Sequence, residues 1–133
     1  MTFASVRFPT DDVPGLVAFY EKALGVDAQW ANDQFAELVT DGATIAISAT
    51  ALTDRFAAAS VAPRSNAGVM LEFLVDDVDA DRDRIAELAG GLVMEPTTLP
   101  WGNRSMLFRD PDGTVINFFT PVTPEAVARF GER

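Results

Sequence analysis

The sequence predicts an α+β protein built from two copies of one strand–helix–strand–strand–strand module. Three observations lead to that class. The chain aligns with itself without a gap at an offset of 65: "VRFPTDDVPGLVAFYEKALGV" (6–26) and "LEFLVDDVDADRDRIAELAGG" (71–91) both pass from an apolar stretch through Asp-Asp-Val into an amphipathic helix and then glycine. Strand-like segments follow each helix and are joined by strong turn signals. The length of 133 residues suits one domain, 1–133, with one core; a module of about 50 residues could not bury enough apolar surface alone.

The first module spans 3–50. Its helix shows Val13, Leu16, Val17, Tyr20, Ala23 and Leu24 at helical spacing, with Asp12 placed as N-cap and Gly25 able to end the helix in the left-handed conformation. The segments 34–40 and 44–49 then form a hairpin around Asp41-Gly42. A less regular linker, 51–67, has an alanine-rich start that suits a helical turn before Pro63. The second module spans 68–121. Val78, Ile85, Leu88 and Ala89 make its helix stripe, Asp77 is its cap, and Gly90-Gly91 closes it. Strands 104–109 and 114–119 flank Asp110-Pro111-Asp112-Gly113, where Pro111 presets the turn and Gly113 accepts a positive φ at its exit. A short terminal helix is expected at 123–130, with Thr123 as cap and Pro124 in its first turn.

Composition removes several function classes. Net charge is −10, so nucleic acid is repelled and no basic footprint exists to hold it; a cationic ligand would be favoured. No apolar run is long enough to cross a bilayer, and the N-terminus lacks a signal-peptide layout, so no membrane partner and a cytoplasmic location are expected. There is no cysteine and no histidine, which excludes disulfides, thiolate nucleophiles and imidazole ligands.

A βαβββ repeat with "DDVPGLVAFYEKALGV" near its start and "FRDPDGTVINFF" near its end resembles the vicinal oxygen chelate superfamily, which includes glyoxalase I, the extradiol dioxygenases and the fosfomycin and bleomycin resistance proteins. The resemblance covers essentially the whole chain. It implies two mixed four-stranded sheets curled around a cavity, and usually a homodimer. In the metal-dependent members each module offers a ligand on its first strand and another on its last. Counted from the helix caps and hairpin glycines, those positions are Ser5, Ala46, Met70 and Asn117. A hydroxyl, a methyl, a thioether and one amide do not make a site for a hard divalent ion, so neither a metal nor another cofactor is expected.

Further binding candidates follow from position. Arg7 and Glu72 are repeat equivalents; they either pair across the cavity floor, form a partly exposed salt bridge, or make no contact at all. Glu72 is also the weak candidate for a catalytic base, which would require its burial. Trp30 and Trp101 either wall the ligand site or pack simply. Arg104 either pairs with a neighbouring acid or meets an anionic ligand group. Met106 and Phe119 join the lining, and alternation puts Val115, Asn117 and Phe119 on one face with Phe118 behind. Asn117 either orients a ligand or bonds local backbone. No nucleophile–base constellation or phosphate loop is present. The leading expectation is a non-catalytic protein that sequesters an aromatic, cationic, antibiotic-like small molecule; the alternative is an enzyme of this fold with a displaced metal site or a metal-free Glu72 base.

Overall fold

The structure, a computed structural model, describes residues 1–130; residues 131–133, included in the expected domain, lie outside the described residues. The chain divides into two compact units, Met1–Asn66 with Pro111–Gly113, and a second that begins at Ala67 and excludes that turn.

The first unit holds β1 (Val6–Thr10), α1 (Val13–Leu24), β2 (Gln29–Asn32), β3 (Phe35–Val39), β4 (Thr44–Ala49) and α2 (Thr50–Ala57). Its sheet has the order β1-β4-β3-β2, with β1 parallel to β4 and the other pairs antiparallel. The Asp12 carboxylate accepts from the Gly15 amide at 3.0 Å, which starts α1, and Gly25 at φ 69° ends it. Leu16, Val17, Tyr20 and Ala23 of α1 are buried, as are Ala36, Leu38, Ile45 and Ile47 of the sheet. By alternation Arg7, Ala46 and Ser48 point to the other face. Helix α2 covers that face, since the Thr53 and Ser48 hydroxyls share a buried hydrogen bond.

The second unit repeats this plan with β5 (Met70–Leu74), α3 (Val78–Ala89), β6 (Met94–Thr98), β7 (Asn103–Arg109), β8 (Val115–Pro121) and α4 (Pro124–Phe130). The sheet order is β5-β8-β7-β6, again with one parallel pair, β5 and β8. Asp77 caps α3 by accepting from the Asp79 and Ala80 amides, and Gly90 closes it at φ 72°. Both α1 and α3 therefore begin and end at positions 65 apart, as the internal alignment requires. At the final hairpin the Asp110 carboxylate accepts from the Thr114 amide at 2.9 Å, and Gly113 takes φ 92°.

Two ion pairs fix which face of the second sheet meets α3: Arg104 with Asp79, and Arg82 with Glu95. Arg104, Met106 and Phe108 of β7 lie on that face. So do Ile116 and Phe118 of β8, whose register partners are Phe108 and Met106. Phe118 is edge-on to both the half-buried Phe73 and the buried Phe108, at 5.9 and 5.0 Å. The opposite face carries Met70, Glu72, Leu74, Val115, Asn117 and Phe119. Helix α4 reaches this face at one end, where the Phe130 ring meets Phe119 at 5.2 Å. The repeat thus continues past the last strand: α2 after β4 and α4 after β8 each fold back on the sheet face opposite the long helix. The expected turn at the start of the linker is an eight-residue helix.

Candidate functional site

In the second unit, β5 and β8 run side by side in parallel, and their register places Glu72 opposite Asn117. The Asn117 Nδ2 donates to Glu72 Oε2 at 2.8 Å. Asn117 is 7% exposed, whereas Glu72 is solvent-exposed. The bond fixes the orientation of the amide: its nitrogen faces the carboxylate, and its oxygen must look elsewhere for a donor. The Asn117 Oδ1 is buried and has no hydrogen-bond partner among the described residues. No ion pair neutralises Glu72 among the described residues. Along β5, Met70 and Leu74 flank Glu72 on the same face and are 45% and 41% exposed. The result is a pair of polar acceptors set between accessible apolar side chains.

The equivalent spot in the first unit is built differently. Register pairs Arg7 with Ala46, as it pairs Glu72 with Asn117. The Arg7 guanidinium lies 4.9 Å from the Phe35 ring centre and 5.3 Å from that of Phe56. Arg7 and Glu72 each take partners within their own unit. Phe56 belongs to α2, where the sequence indicates no more than a helical turn and gives no sign of its cation–π contact with Arg7.

Other expected site residues separate by face. Ser5 is half-buried and stands one residue before β1, and Ala46 is buried. Met106 is wholly buried on the α3 side and does not share a face with Asn117. This corrects its assignment to the ligand lining: Arg104, Met106 and Phe108 share one face of β7, and the Arg104–Asp79 pair turns that face to α3. Arg104 is also on the α3 side, where its Nε and Nη2 donate to the two Asp79 carboxylate oxygens at 2.7 and 3.0 Å. That bidentate pair gives it a structural role, and the Arg104 guanidinium holds the Asp79 carboxyl below its ordinary range. Trp30 pairs with Ala36, on the α1 side, and so does not line the face of Ala46. Phe119 does share the Asn117 face, under Phe130. Trp101 sits on the loop between β6 and β7 and is 67% exposed. Leu74 was missed, although a step of two from Glu72 would have found it. Glu72 lacks the burial that the general-base reading requires.

The order of strands in each sheet, with the long helix on one face and a short one on the other, defines a duplicated α+β fold of the glyoxalase type. The model of the Glyoxalase/Bleomycin resistance protein/Dioxygenase superfamily matches residues 2–118, and the chain belongs to that family. Among solved structures, a protein of unknown function from Agrobacterium tumefaciens is 26% identical, with 92% of this chain and 95% of that one covered and a TM-score of 0.76. A glyoxalase/bleomycin resistance protein/dioxygenase family enzyme from Burkholderia phytofirmans is 22% identical over 90% and 98% of the two chains, with a TM-score of 0.76. A glyoxalase-related enzyme from Fulvimarina pelagi is 15% identical over 90% and 88%, with a TM-score of 0.77. The last two establish the fold alone. No curated protein matched.

The family's metal chemistry can be tested against these side chains. At the four positions to which the resemblance assigns ligands, Ser5, Ala46 and Met70 offer no anionic oxygen and no imidazole. Asn117 offers an amide whose nitrogen is already committed to Glu72. Among the described residues, no group of three or more His, Cys, Asp or Glu could hold a metal ion. The donor set does not fit a divalent cation.

Proposed function

We propose that this chain is a small-molecule-binding protein that sequesters an aromatic, cation-bearing, antibiotic-like compound. It does so without a metal and without turning the compound over, as a cytoplasmic homodimer. The observation that carries this reading is the fate of the last-strand ligand position. It holds Asn117, hydrogen-bonded to Glu72, where a metal centre would need an anionic or imidazole donor. The remaining features agree. Met70 and Leu74 supply accessible apolar surface, Trp101 is an exposed indole available for stacking, and the net charge of −10 favours a cation.

A thermal-shift screen over flat antibiotics and cationic dyes tests the reading. A ligand at a hundred times its Kd stabilises the folded chain by about 2.7 kcal/mol. Silence across a broad set contradicts sequestration. A second reading, an enzyme with a displaced metal site, follows from a family that takes in glyoxalases and dioxygenases. It requires a metal bound by residues other than the four above, and elemental analysis separates the two readings.

A further inference from the structure

We propose that the group recognised at this site is a planar cation with at least two N–H donors, such as an amidinium or guanidinium, held jointly by Asn117 and Glu72. The inference rests on the binding reading above and specifies what that site selects.

The starting point is an imbalance in hydrogen bonding. A buried carbonyl oxygen without a donor is unfavourable, and native proteins retain few of them. The Asn117 Oδ1 is such an atom, in a side chain only 7% exposed. Rotating the amide would not relieve it. The flip would turn Oδ1 towards the Glu72 carboxylate, an acceptor against an acceptor, and would discard the 2.8 Å bond from Nδ2. The orientation is therefore locked, and no donor among the described residues meets the oxygen, which leaves that partner to a water or to a ligand group that enters beside it.

Glu72 adds the second half. One of its oxygens accepts from Asn117, and no ion pair among the described residues neutralises its charge. Side by side on paired strands, the two residues present acceptors only, one of them charged. A carboxylate or phosphate ligand would be repelled. A neutral group with a single donor would satisfy one partner and leave the other. A planar nitrogen cation satisfies both, because its N–H groups diverge in one plane and its charge offsets Glu72. The exposed side chains of Met70 and Leu74 on either side of Glu72 suit the hydrocarbon or aryl body that carries such a group.

Three isosteric probes, benzamidine, benzamide and benzoate, titrated into nitrogen-15-labelled protein test the inference, with calorimetry for affinity and the Asn117 side-chain amide signals as a local readout. Benzamidine is expected to bind at least about tenfold more tightly than benzamide, the factor one such interaction commands, and to shift the Asn117 signals. Benzoate should not bind. Glu72→Gln, a conservative change at an exposed position, should lower benzamidine affinity by about tenfold or more, and Asn117→Leu should do the same. Equal affinity for benzamidine and benzamide overturns the cation inference while leaving the binding reading intact. So does unchanged benzamidine affinity in both variants, because the cation would then sit elsewhere. If no probe binds, the inference fails, and the dye and antibiotic screen judges the binding reading separately.

Discussion

Replacing Asn117 with leucine should remove the site's recognition while leaving the fold as stable as before, or more so. The expectation follows from what the amide contributes. Its one hydrogen bond among the described residues goes to Glu72, which is exposed and can be rehydrated when the donor is lost, so the loss is about 0.5–1.5 kcal/mol. Against this, removing the unpartnered buried Oδ1 recovers about 1–3 kcal/mol of desolvation. Leucine is close to asparagine in outline, and its methyl groups add apolar burial at a position only 7% exposed. The balance runs from nearly zero to about 2 kcal/mol in favour of the variant, less any strain from fitting the side chain. Urea unfolding followed by circular dichroism measures it, provided the slope of the transition is unchanged. A midpoint equal to or above that of the parent is expected. Destabilisation by more than about 1 kcal/mol would refute the reasoning, because the amide would then be a structural element with a partner in the native fold.

Gly102 has φ 95°, and a Cβ there would overlap the Thr123 hydroxyl and press on Ala126. Gly102→Ala should cost about 2–4 kcal/mol and loosen α4, whose first turn Thr123 caps, with near-parental stability as the contrary result. Acid unfolding should reflect Asp79 and Glu95, whose carboxyls are held below their ordinary values by hydrogen bonds from Arg104 and Arg82. A depressed folded-state pKa gives stability that is present above the unfolded value and lost as pH falls through the folded one. Tm should therefore decline as pH falls below the ordinary carboxyl values of 3.8 and 4.5, and less steeply in a variant carrying Asp79→Asn and Glu95→Gln; parallel curves would count against this. Trp101→Ala should weaken a bound aromatic ligand by at least about 1 kcal/mol while shifting stability by less than about 0.5 kcal/mol, since the indole is 67% exposed. Unchanged affinity in calorimetry would remove Trp101 from the site.

The duplicated plan was legible because it is written in local chemistry. Asp12 and Asp77, Gly25 and Gly90, and the two hairpin turns each act on their immediate neighbours, so the helices start and stop where the repeat puts them. Side-chain direction was legible only in part. Glu72 and Asn117 are polar residues on strands largely apolar on both faces, and the register puts them side by side on one face. Met106 and Arg104 share a face of β7, and its direction is set by the pair of Arg104 with Asp79 on a distant helix. Trp30 precedes an irregularity between Trp30 and Asn32, which no periodicity reveals. Helix α2 has no side-chain cap, so nothing in the sequence marked its start. With it went the cover that Phe56 provides over Arg7. The unpartnered Asn117 oxygen was out of reach in principle, because an unmet hydrogen bond is visible only when every neighbour has been placed.

Elemental analysis of protein purified without chelator puts the proposed metal independence to its most direct test. A clearly sub-stoichiometric content of every first-row metal is expected, together with ligand-induced stabilisation that survives chelator treatment. One equivalent of such a metal per chain, retained through dialysis and needed for ligand binding, would contradict the account.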